Sequence, residues 1–255
     1  MRARALGRLR PLVILAGLIA LWQFVVWASG AAPFILPGPD RVALAIVARA
    51  DELARHGAVT AAEILLGLAC GGLLGCASAL LLAAARPARL WLMPVLVVSQ
   101  AIPVFALAPI LVLWLGYGLA SKVAMATLII YFPVTAAFYD GLRRTEPGWL
   151  DLARTMGGSR LAALRQIRVP AALPALASGL RVAAAVAPIG AVVGEWVGSS
   201  AGLGYLMLHA NARLQVDVMF AALFVLALLA VALYFAIDRL LRRLTPWQAD
   251  EAERL

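Results

Sequence analysis

Charge is scarce in this chain. Of its 255 residues only 14% are Asp, Glu, Lys or Arg, while 64% are hydrophobic, and the mean hydropathy is +0.93. A soluble domain is about 25% charged and about 45–50% apolar. A water-soluble fold of this length could not hide so much apolar surface, so the chain reads as a membrane protein. Lysine is scarcer still, with Lys122 alone. It follows Ser121 and not a glycine, so a Gly-Lys-Ser/Thr phosphate loop is excluded, and with it ATP binding by a P-loop. Cysteine is confined to Cys70 and Cys76 in one apolar run. Six residues turn a helix by about 240°, so the two do not share a face. Neither a disulfide nor a metal site follows, and both read as packing residues.

Charge of one sign does accumulate, to a net +9 and a pI near 10.7. In a soluble chain that would raise nucleic acid as a partner. Here the basic residues lie mostly between apolar runs, which points to membrane topology and to no nucleic acid. A span needs about 20 mostly apolar residues. Six stretches qualify: Pro11–Ser29, Thr60–Ala85, Leu90–Leu115, Leu119–Tyr139, Ala175–Val197 and Val218–Leu241. The first follows four arginines and mimics a signal peptide, but its apolar run exceeds the usual 7–15 residues or so, giving a retained signal-anchor.

Arginine placement orients the spans. With the N-terminus inside, the inner side holds Arg2, Arg4, Arg8, Arg10, Arg86, Arg89, Arg143, Arg144, Arg154, Arg160, Arg165, Arg168, Arg239, Arg242, Arg243 and Arg254. The outer side holds only Arg41, Arg49, Arg55, Lys122 and Arg213, and Arg181 falls within the fifth span. The bias places both termini in the cytoplasm. Two connections are long. In the outer one, 30–59, Pro33, Pro37 and Pro39 break the chain before Asp40–Arg55, read as a short amphipathic helix on the outer face. The inner one, 141–174, carries six arginines and is too polar to be embedded. No linker or repeat divides the chain, so a single transmembrane domain over 1–255 is expected.

The inner connection is the most informative stretch. A short helix from Glu146 to Met156, ended by Gly157 and Gly158, would be followed by a second that opens with Ser159 as N-cap and stops before Pro170. Helix, glycine, helix, basic and cytoplasmic, is the shape of a docking element. The run Asp151-Leu152-Ala153, then Gly157, Ile167 and Val169-Pro170 resembles the cytoplasmic signature of the permease subunits of binding-protein-dependent ABC importers: Glu-Ala-Ala, three residues, Gly, nine residues, Ile, one residue, Leu-Pro. It departs by Asp151 for Glu, Leu152 for Ala and Val169 for Leu. Leu36-Pro-Gly-Pro39, Gln100 to Pro109, Trp114 to Gly118 and Gly194-Glu-Trp196 are similar to the nitrate/sulfonate/taurine-type branch. The run Gly194 to Met207 looks most like permeases for pyrimidine precursors of thiamine.

The resemblance implies an all-α, polytopic fold of six transmembrane helices, the type I ABC importer permease fold, in the bacterial inner membrane. It implies a non-catalytic subunit with no cofactor of its own, ATP being hydrolysed on a partner ABC ATPase. An extracytoplasmic substrate-binding protein would deliver a small polar solute, either a hydroxymethylpyrimidine-like thiamine precursor or a sulfonate/nitrate/taurine-type solute. A second permease copy, giving a homodimer in the lipid bilayer, would complete the pathway. Asp151, Leu152, Ala153, Arg154, Met156, Gly157, Gly158 and Ser159 would form the coupling helix, with Ile167 and Pro170 holding its continuation. ATP-driven closure of the ATPases would bring such helices together and switch the pathway between two states.

Other features have two readings. Ionisable groups at membrane depth are costly and therefore suspect. Glu63 and Glu195 lie near the outer ends of the second and fifth spans, Arg181 near the inner end of the fifth. Glu195 and Trp196, with Ser99, Gln100, Pro103, Tyr131 and Thr135, are candidates to line a translocation pathway, or to serve as interhelical glue. Pro94, Pro103, Pro109, Pro133 and Pro188 predict kinked helices. Gly67, Gly71 and Gly75 allow close helix approach, within the subunit or across a dimer. Gly116-Tyr117-Gly118 has the look of a potassium filter but lacks the preceding Thr-Val and reads as a short outer turn. Gly198-Ser-Ser-Ala-Gly202 matches the nucleophile-elbow pattern, with Ser200 near His209 in sequence, but it follows a membrane helix where the elbow needs a strand. His56 and His209, the only histidines, fall in outer loops. An ion channel is the rival function, and an intramembrane serine hydrolase the third.

Overall fold

The structure, a computed structural model, describes residues 2–99 and 101–247. Two residues named above, Gln100 and Arg254, lie outside them. Helices α1 (Arg2–Ser29), α2 (Pro39–Ala48), α3 (Ala50–Ala84), α4 (Arg86–Ser99), α5 (Val104–Leu115) and α6 (Leu119–Arg143) form the first half. In the second are α7 (Pro147–Thr155), α8 (Arg160–Ala163), a π-helical turn (Leu164–Arg168), α9 (Val169–Gly198), α10 (Leu203–Ala212) and α11 (Val216–Leu244). No strand occurs among the described residues.

All six apolar stretches are helical, but not all as expected. Ala50–Ala84, Leu119–Arg143, Arg160–Gly198 and Val216–Leu244 are each long and apolar enough to cross a membrane, and α1 adds an apolar stretch over Val13–Ser29. The expected third span is not one helix: Pro87–Ser99 and Val104–Leu115 meet at 102°. Pro103, at the N-cap of α5, cannot donate a backbone hydrogen bond, and it disfavours helical geometry at Ile102. The outer amphipathic segment Asp40–Arg55 is also divided. Arg49 leaves helical geometry (φ −114°) and serves as C-cap of α2 and N-cap of α3. The residues from Ala50 onward belong to the long α3 and not to a surface helix.

Helix α6 is the axis of the bundle, with α3 on one side and α9 on the other. Small residues let the backbones close. A methyl group on Gly71 would reach within 2.7 Å of Ile130, and one on Gly75 within 2.9 Å of Val134. Gly67 abuts Ala126 in the same row. The Gly-xxx-Gly repeat is therefore spent inside the subunit, on α3–α6 packing. From the other side, Gly179 and Gly190 of α9 meet Ala137 and Ala126 of α6 at 2.7 Å by the same measure. Ile64, Ala126, Ile130, Val134, Ala183, Ala187 and Ala191 fill the seam. Many large apolar side chains on α1, α4, α5 and α11 stay exposed, Trp91 and Leu113 at 81% among them, as suits helices bathed in lipid.

Candidate functional site

The inner connection folds as its local sequence dictates. Pro147 opens α7 at a position where a missing N–H costs nothing. Met156 caps its end, and Gly157 takes φ +76°, a left-handed conformation that glycine adopts without strain. The Gly157 N–H donates to Arg154 O (3.0 Å) and the Gly158 N–H to Ala153 O (2.8 Å), the paired bonds of a Schellman closure. Ser159 then caps α8, its Oγ accepting from the Ala162 N–H at 3.1 Å. The second helix does not stop before Pro170. A π turn carries it on, with Val169 N–H reaching back to Leu164 O, and the chain runs as one helix from Arg160 to Gly198. The widened turn directly before Pro170 absorbs the ring and the missing donor that would break a regular helix.

None of α7 is buried. Its Asp151 and Arg154 form an exposed ion pair at 2.7 Å. Trp149, Leu152 and Met156 are 50%, 60% and 78% exposed, although water-facing apolar groups of this size are costly in a finished assembly. Together with Ala153, Ala162, Ala163, Gln166 and Ile167 they line an apolar groove of about 520 Å³. The structure thus brings Leu152, Ala153, Met156, Gly158 and Ile167 to one groove. Asp151, Arg154, Gly157 and Ser159 shape its frame, and Pro170 lies one turn beyond it.

At the other end a buried polar cluster ties four elements together. Glu63 of α3, Lys122 of α6 and Glu195 of α9 are 0%, 5% and 1% exposed. Lys122 Nζ lies 3.5 Å from Glu63 Oε1. Lys122, counted with the outer charges at the start of the fourth span, sits in the first turn of α6 and is buried, sheltered because Gly194 lets α9 approach its backbone. Glu195 Oε1 accepts from Thr60 Oγ1 at 2.6 Å, and Oε2 accepts from the N–H groups of Gly204 and Tyr205. Those are free donors at the start of α10, so the carboxylate caps that helix from outside. Thr60 Oγ1 in turn accepts from the Leu203 N–H at 2.8 Å. Gly202 has φ +116°, and the Glu195 carboxyl fills the space where its side chain would stand, so only glycine fits.

The two histidines are on helices, not in outer loops. His56 in α3 accepts the Gly202 N–H at Nδ1 (2.9 Å), and its ring lies 5.8 Å from Tyr205, which packs 4.1 Å from His209 in α10. Sequence reading missed this because Thr60 and Glu195 are 135 positions apart, with no local pattern linking them. Ser200 is in a loop that follows the helix α9, with no strand before it.

The other pathway candidates are dispersed. Ser99 Oγ donates to Leu96 O at 2.8 Å at the end of α4, and Pro103 caps α5. Tyr131 donates to Ser78 Oγ at 2.8 Å across the α3–α6 contact, and buried Thr135 donates to Tyr131 O at 2.7 Å. Trp196 is 44% exposed beside buried Glu195. Gln100 lies outside the described residues. Arg181 bridges to Asp238 of α11 at 2.7 Å, and Asp238 also holds Arg242 at 2.9 Å.

Comparison with known proteins gives a consistent result. Residues 71–249 match the family described as binding-protein-dependent transport system inner membrane component. A probable ABC transporter permease protein of Haemophilus influenzae is 58% identical over 92% of this chain and 96% of its own. The formylaminopyrimidine transport permease protein ThiX of Halalkalibacterium halodurans is 37% identical, covering 97% and 99%. The taurine transport system permease protein TauC of Escherichia coli is 29% identical, covering 92% and 88%. Among solved structures, an inward-facing MetNI methionine ABC transporter chain aligns with a TM-score of 0.64 at 23% identity, over 75% of this chain and 95% of that one. That likeness is one of fold, the type I importer permease fold.

Proposed function

The chain belongs to the binding-protein-dependent transport system inner membrane components and is a permease subunit of an ABC importer, and from that premise we propose that α7 and the groove beside it are its docking site for an ABC ATPase. The observation that carries this is the exposed set Trp149, Leu152 and Met156, held on a helix whose end is fixed by Gly157 and Gly158. An amphipathic helix laid into a partner's groove is a recurring recognition mode. The π turn joins α8, which lines the groove opposite α7, to α9 without a break, so a push on α7 that reaches α8 through the groove is carried along α9 toward Glu195. ATP hydrolysis belongs to the partner, and this chain contributes the movement. Both termini and α7 lie in the cytoplasm, an arrangement supported by the arginine bias of the inner segments. The whole chain acts as one permease domain, paired with a second copy in the bilayer and supplied by an extracytoplasmic binding protein.

The cargo on this reading is a small polar solute of the pyrimidine thiamine-precursor type. A relative named for formylaminopyrimidine transport covers nearly the whole chain at 37% identity, above the 29% of the taurine permease. Affinity purification from the native host through a C-terminal tag, in mild detergent, tests assembly and cargo together. A P-loop ATPase and a binding protein that releases a pyrimidine support the reading. A released sulfonate moves the cargo to the taurine type. An isolated, ion-conducting homo-oligomer replaces the importer with a channel.

A further inference from the structure

A second cavity, of about 720 Å³, opens beside α7 where the α3–α4 junction meets the inner connection. Its wall holds Arg89, Arg154, Arg160 and Arg168, and no acidic side chain. Arg154 is matched by Asp151. Arg168 donates from Nε and Nη2 to Leu142 O, at 3.0 and 2.9 Å, and so is fixed in place but not neutralised. Arg89 stands close enough to repel it. Among the described residues Arg89, Arg160 and Arg168 have no ion-pair partner. Like charges gathered around one hollow raise a strong local potential that an anion relieves.

The position of this cavity separates it from the docking groove. On α7 the cavity takes Leu150 and Arg154, whereas the groove takes Trp149, Leu152, Ala153 and Met156. At 100° per residue these two sets point about 130° apart. The groove touches only residues 149–167, all in the inner connection. The cavity also reaches Ala83, Ala84 and Ala85 at the end of one membrane helix and Pro87 and Arg89 at the start of the next. It therefore sits at the level where membrane helices emerge, and its lining combines apolar side chains with guanidinium groups.

We propose that the hollow between the α3–α4 junction and α7 binds the phosphate headgroup of an anionic phospholipid from the inner leaflet. Guanidinium groups grip phosphate oxygens with paired hydrogen bonds, and basic pockets between membrane helices on the cytoplasmic side suit such headgroups. Ala83–Ala85, Leu161 and Leu164 supply the surface for the glycerol and upper acyl chain. A lipid seated there touches Leu150 and Arg154, the rear of the coupling element, and so makes its position depend on membrane composition. The inference rests on the importer reading only for the side of the membrane.

The test is native mass spectrometry of the purified full-length chain, titrated with phosphatidylglycerol or phosphatidylcholine. Phosphatidylglycerol is expected to bind in preference, and Arg89→Gln with Arg160→Gln to weaken it by about fivefold per arginine removed. Arg160→Gln alone, on an exposed side chain, gives about a fivefold weakening should the double variant fold poorly. Equal binding of the two lipids, or an undiminished variant, overturns the proposal. Displacement by millimolar inorganic phosphate would reassign the site to a soluble anion and also overturn it. So would a double variant that keeps its lipid but no longer purifies with an ATPase, because acidic groups of the partner would then be the occupant. The lipid count needs neither ATPase nor transport, so its failure leaves the importer reading standing. Sidedness is read separately, by labelling Arg160→Cys with a membrane-impermeant maleimide in inside-out vesicles.

Discussion

Thr60 and Glu195 meet through a 2.6 Å hydrogen bond that joins α3 to α9, and through them both helices hold the start of α10. Thr60 donates to the carboxylate and at the same oxygen accepts from Leu203, so one hydroxyl serves three elements. Glu195 is thus first a cap for α10. Any movement of α9 away from α3 and α10 must break this set of bonds.

Removing Thr60 should therefore be costly. Thr60→Val keeps the shape but leaves the Leu203 N–H and a Glu195 oxygen without their partner. A loss of about 2 kcal/mol is expected, seen as a lower melting temperature of the detergent-purified protein. Glu195→Gln should cost less than Glu195→Ala, because the amide oxygen can still accept from Gly204 or Tyr205.

Gly71 and Gly72 are neighbours with opposite predictions. A methyl group on Gly71 runs into Ile130 at 2.7 Å, whereas one on Gly72 meets only Leu180, at an ordinary 3.7 Å. Gly71→Ala should destabilise the protein by about 1–3 kcal/mol through overpacking of α3 on α6. Gly72→Ala should be neutral or slightly stabilising, since alanine favours the helix. Thermal melts of the two variants side by side decide the matter.

The Arg181–Asp238 bridge fastens α9 to α11 with both side chains largely shielded, 23% and 16% exposed. Arg181→Ala and Asp238→Ala should each cost about 1 kcal/mol. The double variant should lose less than the sum, a coupling that a double-mutant cycle measures directly.

How much could be read in advance followed the range of the interactions involved. The closure of α7 needed only Gly157, Gly158 and Ser159, each acting on backbone a few residues away, so its helix, glycine turn and cap were legible. Five of the six apolar stretches appear as continuous helices for the same reason, since hydrophobic length is local information. The break at Pro103 was underread because proline is tolerated within many membrane helices, as Pro94, Pro109, Pro133 and Pro188 show here. The cluster around Thr60 and Glu195 was invisible in the sequence. His56 reads as an outer-loop residue, Lys122 as a charge on the outer side and Thr60 as no more than the start of a span, and only the approach of α9 and α10 in space draws them into one cluster. The stop expected before Pro170 failed because a π turn, which no propensity scale announces, carries the helix onward.

The central claim is that the exposed apolar face of α7 holds the ATPase, and one comparison tests it most directly. Wild-type protein and a Leu152→Asp, Met156→Asp variant would be purified through the same C-terminal tag from the native membrane, and the co-purified ATPase quantified against the permease. Both positions are exposed in the free chain, so the variant should insert and fold normally. The account predicts that the ATPase accompanies the wild type and falls by at least about tenfold with the variant, in keeping with burial of two charges at the core of an interface. Equal recovery of the ATPase with both proteins would contradict it.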